Sequence, residues 1–237
     1  MFKPDFFMNL RTRQDGNVLF LIFIVVALFA ALSYAVTSSI HFYGDDYSEA
    51  DIISSNQVTQ YPAIVNTAVV SMIIAGTKVE DLRFNPPNEL SKLKSVNVGV
   101  FHPEGGAAKY VQGPADVMVS GNPGDWTFNA DLEISDIGSE GVGGNDIIAY
   151  LVGIKGRICS KINAQYGMGS IIPVLDGDRS GEYTARMNDD GISDYMMPTD
   201  DVPDIDDGEG VFDGQPFGCF QNADGGDYVY YHVILER

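Results

Sequence analysis

From Val18 to Val36 the chain runs for about 19 residues without a charge, interrupted only by Ser33 and Tyr34. A helix rises about 1.5 Å per residue, so a run of this length reaches across the roughly 30 Å hydrocarbon core of a bilayer. A soluble core helix would carry a polar stripe where it meets water, and no such stripe is readable here. A cleaved secretory signal is the closer competitor, because "AALSYA" offers small residues for a cut. Its apolar part, however, is usually only about 7 to 15 residues long. The run therefore reads as a membrane anchor, and everything after it must fold on one side of a membrane.

Flanking charge says which side. Lys3, Arg11 and Arg13 precede the run, whereas Thr37 to Thr77 holds no lysine or arginine and meets Asp45, Asp46, Glu49 and Asp51 early. The positive-inside bias places residues 1–16 in the cytoplasm and the remainder outside, in a compartment that permits disulfides. The whole chain has 14 basic against 33 acidic residues, a formal net charge of −19, and three of its bases lie before the run. Such an exported surface repels phosphate backbones and attracts cations, which argues against nucleic acid as a partner.

A basic stub ending in Gly16, followed at once by "NVLFLIFIVVALFAALSYAV" and then a C-terminal globular part, resembles the type IV pilins and the pseudopilins of type II secretion. The resemblance implies a prepilin peptidase that cuts between Gly16 and Asn17 and methylates Asn17. A glycine suits the cut because it lets an extended backbone enter a tight active site. It further implies a single-pass protein of the bacterial inner membrane whose C-terminal domain is periplasmic or extracellular. Its partners would be sister pilin or pseudopilin subunits, joined through the N-terminal helix, and it would have no enzymatic activity. Asn17 and Leu21 stand where the family usually carries phenylalanine or methionine and a glutamate, so the implied member is a minor or tip-like one. The other reading is an exported binding module on a permanent signal anchor, taking calcium or a cationic ligand without polymerising.

The fold class expected is α+β: a leader at 1–16, a hydrophobic helix at 17–40 and an acidic domain at 41–237 with an antiparallel sheet packed on helix. Ser48 and Asp51 suggest a shortened capping box. Ile52, Ile53, Val58, Ile64, Val65, Ala68, Val69, Met72 and Ile73 then recur near helical spacing up to Gly76, with a kink expected at Pro62. This segment is either the outer half of a pilin-like helix or an independent core helix. "DWTFNADLEIS" alternates apolar and polar residues, which predicts a strand over Trp126–Ile134 with one buried and one wet face. "VNVGVFHP", "KYVQ" and "DVMVS" are shorter strand candidates. Asn145 or Asp146 is expected to cap a helix bearing Ile147, Leu151, Ile154, Ile158 and Ile162, ending near Gly167. "FGCFQ" and "YVYYHVILE" read as a closing hairpin.

Two cysteines outside the cytoplasm favour one disulfide, Cys159 to Cys219, closing a loop of about 60 residues; two buried thiols are the alternative. Between Asp176 and Asp213 carboxylates crowd together against only Arg179 and Arg186. "DGDRSGE" places Asp176, Asp178 and Ser180 at alternate positions before a glycine, like the opening of a calcium loop, although Met187 stands where the twelfth, bidentate ligand would be. "NDDGISD" adds Asn188, Asp190 and Asp194 as partial ligands. Calcium in this stretch and a solvated acidic loop held open by repulsion are both compatible with the pattern. His41, His102 and His232 are far apart and have no readable nucleophile beside them. Tyr228, Tyr230 and Tyr231 fit either a sticky edge or core packing.

Overall fold

The computed structural model describes residues 17–40, 49–139, 145–192, 195–198, 202–223 and 226–237. The chain divides into two compact units, Met1–Asp46 and Tyr47–Arg237. In the first unit, helix α1 spans Asn17–Ile40. Its described side chains, Phe20 to Tyr34, are apolar almost throughout and all exposed, Phe29 by 76% and Leu32 by 66%. Among the described residues no helix is long and apolar enough to cross a membrane, and the side chains described for α1 cover only that Phe20–Tyr34 stretch.

The second unit is α+β. Helix α2 spans Glu49–Ile74 with Pro62 inside it, and the strands are β1 (Trp126–Asn129), β2 (Ile147–Val152), β3 (Phe217–Gln221) and β4 (Tyr228–Leu235). Helices α3 (Gly156–Gln165) and α4 (Ser180–Thr184) lie between β2 and β3 in sequence. The sheet has the order β1-β2-β4-β3, and every neighbouring pair is antiparallel. The hairpin expected at the chain's end is β3–β4, with Cys219 opposite Tyr230.

The stretch expected to begin a helix at Asn145 is instead β2, and the helix starts only at Gly156. Ile147, Leu151, Ile154 and Ile158 do fall at near-helical spacing, but "IIAYLV" is apolar at every position. A central strand covered on both faces produces such a run, and helix and strand look alike over it. Ile147, Ala149 and Leu151 face one core with Val58, Val65, Val69, Trp126 and Tyr230. Ile148 and Tyr150 face a second core with Leu132, Tyr183, Ile205, Phe212 and Tyr231.

This second core also corrects the picture of β1 with one wet face. The strand ends at Asn129, and Thr127, Asn129 and Glu133 on the supposed wet side are buried. What covers them is the acidic stretch itself. Asn129 donates to the carbonyls of Glu182 (2.9 Å) and Ala185 (2.7 Å), and Ile205 N–H donates to Glu133 O at 2.8 Å. Far from a loop held open by repulsion, this stretch seals the sheet with Tyr183, Ile205 and Phe212, while Asp176, Asp178, Asp190, Asp206 and Asp213 are exposed. The candidates "VNVGVFHP", "KYVQ" and "DVMVS" form turns, one short 3-10 segment (Val96–Val98) and isolated bridges such as Met118 to Ile154. Flanking glycines and prolines leave each too short to pair as a strand.

Along α2 the buried positions are Asp51, Ser54, Ser55, Val58, Tyr61, Pro62, Val65, Val69 and Met72, mostly a stripe at i, i+3, i+4 and i+7. Ile52, Ile53 and Ile64, expected in the core, are exposed. Polar partners draw the first turns inward: Arg157 pairs with Asp51 at 3.2 Å, Ser54 donates to Asp116, and Ser55 donates to Gln165 at 3.2 Å.

Both sheet edges are occupied. On β1, Met187 N–H donates to Phe128 O at 2.8 Å, and Phe84 N–H in turn donates to Met187 O at 2.9 Å. On β3, the buried Asn163 of α3 donates to Cys219 O and accepts from Cys219 N–H, both at 2.9 Å. An amide is the one side chain that can meet both groups of an edge residue at once. Asn163→Ala is therefore expected to cost about 3 kcal/mol, from two lost bonds plus two stranded backbone groups. Asn163→Asp should recover none of that loss in urea melts at neutral pH, because its carboxylate would be buried against the Cys219 carbonyl. Equal stability of Asn163→Ala and the native chain would contradict the assignment.

Candidate functional site

The described residues singled out in the acidic stretch are largely engaged in local contacts. Asp178 accepts three hydrogen bonds, from Asn222 Nδ2 (2.8 Å), Ser180 N–H (2.8 Å) and Ser180 Oγ (3.0 Å). These donors, Asn222 first, hold its carboxyl below the usual aspartate range. It thus locks the start of α4 onto the turn after β3. Asp176 contributes its backbone N–H to Asp206 O at 3.0 Å. In "NDDG", Asn188 lines a cleft on the other side of Asp189, and Asp190 Oδ1 accepts from Ile192 N–H within its own turn at 2.7 Å. Asp194 and Gly16 lie outside the described residues, as do Ser48 and His41, and Asn17 is described only as the first backbone position of α1. Among the described residues no three His, Cys, Asp or Glu side chains gather as metal ligands would.

Sequence reading passed over Asp189, which is the organising carboxylate here. It is buried, and its two oxygens accept from Lys94 N–H (2.7 Å) and Gly191 N–H (2.9 Å). Its backbone exchanges two bonds with the Asn85 amide, at 2.6 and 2.8 Å. Asp189 thereby pins the acidic stretch to the segment that runs from Leu82 to Glu89.

The cysteines do meet: Cys159 of α3 and Cys219 of β3 form a disulfide with their Cα atoms 5.3 Å apart. The tyrosines belong to the interior. Tyr230 and Tyr231 are fully buried on opposite faces of β4. His232 stacks on Phe217 at 5.1 Å and shares a 2.8 Å hydrogen bond with Tyr230 Oη. Burial pushes its ring down to about 4, so it is a neutral packing residue at ordinary pH. His102 Nδ1 accepts from Glu104 N–H at 3.1 Å, closing a local turn.

A cleft of about 390 Å³ lies beside β1 in the second unit. The aromatic rings beneath it belong to the core and are only 2–4% exposed. Phe84 stacks on Phe128 with ring centres 4.7 Å apart and planes within 9°, and Trp126, the chain's single tryptophan, packs beside them against Tyr61 at 5.2 Å. Its rim is polar. Gln112 Nε2 donates to Asp125 Oδ1 at 2.8 Å, Tyr110 Oη donates to the same oxygen at 3.3 Å, and Trp126 N–H donates back to Tyr110 Oη at 3.3 Å. Burial, and then the Asp125 charge, push the Tyr110 phenol up to about 12, so it remains a donor. Tyr110 is held edge-on by Phe101 at 5.1 Å. Arg186 also lines the cleft; it is exposed, and its charge acts on Tyr110.

No family model, curated protein or solved structure matches this chain. The cleft escaped the sequence because its walls come from four separated segments around residues 84, 110, 125 and 186, none of which carries a motif. The lone tryptophan opening a strand beside an aspartate was the one local hint.

Proposed function

We propose that the chain is a minor, pilin-like or pseudopilin-like structural subunit, processed after Gly16, anchored through its N-terminal helix and working by contact with sister subunits. The observation that carries this reading is α1. Its described side chains from Phe20 to Tyr34 are apolar and exposed, a surface that water disfavours and that lipid or neighbouring helices would cover. The basic stub ending in Gly16 directly before it supplies the processing signal. A helix laid on a four-stranded antiparallel sheet, closed by a late disulfide, is the domain type such a subunit would present outside the membrane. Leu21, in place of an acid, favours a minor position, because no carboxylate is available within lipid to meet a neighbour's amine.

Intact-mass analysis of the chain expressed with a prepilin peptidase should find a product beginning at methylated Asn17. Gly16→Leu should leave the leader in place, since a branched side chain cannot follow glycine into the cut site. An unprocessed native chain under those conditions would overturn the reading. The second reading, a signal-anchored module that does not polymerise, is favoured by the cleft beside β1, and under it Gly16→Leu changes nothing.

A further inference from the structure

We propose that the outer face of α2 is an interface on which a second copy of this chain docks, α2 against α2. The first argument is what that face lacks. A helix at the surface of a soluble domain ordinarily turns charged side chains outward. Residues 52–77 hold none, although 20% of the chain's residues are charged. What the face presents instead is Ile53, Ile64, Val70 and Ile74, the last exposed by 81%, with Ala63, Thr67 and Ser71 among them. The helix is thus apolar outward as well as toward the core, the pattern of a helix covered on both sides. Its hydroxyls are already satisfied: Thr67 Oγ1 donates to Ala63 O at 3.0 Å and Ser71 Oγ to Thr67 O at 2.7 Å. Covering them strands no donor, and their small side chains let a second backbone come close.

The second argument is charge, and it selects the occupant. With a formal net charge of −19, two copies that meet over most of their surface set acid against acid, whereas along residues 52–77 they set none. A lipid surface matches less well. A helix that lies on one carries lysine and arginine beside its apolar face, and no base stands between Arg13 and Lys78. The third argument is position in the chain. Only residues 41–48 separate α1 from α2, so copies anchored by α1 present their α2 helices to each other at high effective concentration. Copies inserted in one membrane are related by an axis along its normal, so equivalent residues of the two helices meet. The pairing rests on the anchored helix of the proposed function and is independent of cleavage after Gly16.

Both native cysteines are in the disulfide, so a cysteine introduced by substitution is the single free thiol. The full chain, in the membranes of an expression host with or without a prepilin peptidase, is treated with a short bis-maleimide. Thr67→Cys and Ile74→Cys, on the face, should give about tenfold more covalent dimer than Val119→Cys and Ile171→Cys, which are exposed elsewhere. Ile64→Asp, added to Thr67→Cys, should cut that dimer about tenfold, because it sets like charges opposite each other. Ile64 is exposed, so this variant should melt as the native chain does. Mixing Ile64→Asp chains with Ile64→Lys chains in one membrane should restore the dimer, which happens only if two copies face each other at this position. Equal cross-linking at all four positions overturns the proposal. So does a Thr67→Cys thiol that stays monomeric yet is shielded from a water-soluble maleimide, since lipid or another protein then covers the face. Face-specific dimers from a chain that is never cut after Gly16 support the pairing while the pilin-like reading falls.

Discussion

Removing the Cys159–Cys219 bond is expected to lower the melting temperature of the second unit by about 8 to 16 °C. The bond spans 60 residues, and on the chain-entropy account closing a loop of that size removes about 4 kcal/mol of freedom from the unfolded chain. For a domain of this size each kcal/mol corresponds to about 2 to 4 °C. The loop it closes contains α3, α4 and the whole acidic stretch, which seals one face of the sheet through only a few apolar side chains, Tyr183, Ile205 and Phe212 among them. Like charges along that stretch favour its expansion once it is released, so the crosslink opposes a repulsion that the sequence builds in. Cys159→Ala/Cys219→Ala is the suitable variant, because serine would bury unpaired hydroxyls where the sulfurs are fully enclosed. Asn163 lies one turn after Cys159 and bonds the backbone of Cys219, so its loss and the loss of the disulfide should not add. A double-alanine variant melting within about 2 °C of the native chain would sink the expectation.

The legible parts of this fold were those with a single strong period or a chemical constraint. Helix α2 showed through its apolar spacing, the hairpin through two β-rich runs around a turn, and the disulfide through cysteine count and compartment. What misled was burial on two sides. "IIAYLV" reads as helix when one expects a strand to alternate, and "DWTFNADLEIS" reads as half wet because its polar residues look solvated. Both expectations fail for one reason: the acidic stretch, polar in composition, covers the second face of the sheet. Its few large apolar residues sit among so many carboxylates that no window of sequence reveals them as a core. The same dilution hid Asp189, one acid among many until its oxygens are seen to accept from Lys94 and Gly191. On α2 the reverse occurred. The apolar spacing put Ile52, Ile53 and Ile64 in the core, yet partners distant in sequence, Arg157 and Asp116, hold Asp51 and Ser54 in the buried row instead.

Asp146 should make the unit less stable as pH rises from about 4 to about 7, by about 2 to 4 kcal/mol in all. The residue is fully enclosed at the entry to β2, where Oδ1 accepts from the backbone N–H of Arg237 at 3.0 Å. Desolvation first, and then the nearby charges of Glu133 and Glu236, push its carboxyl up to about 7, against the pull of backbone hydrogen bonds from Arg237 and Ile134. In the unfolded chain the same group titrates near about 4. Between those two values the folded state holds the proton and the unfolded state has lost it, so raising the pH draws the equilibrium toward unfolding. Above about 7 both states are ionised and this contribution stays constant. Asp146→Asn keeps the acceptor for Arg237 N–H and removes the titration. The variant should therefore be close to the native chain at pH 4 and more stable than it at pH 8. Urea melts of both proteins at the two pH values isolate the effect from every other titrating group, because those groups are common to both. An Asp146→Asn difference that is the same at pH 4 and pH 8 would show that the carboxyl titrates normally, and the chain end would then be tied to β2 by an ionised aspartate.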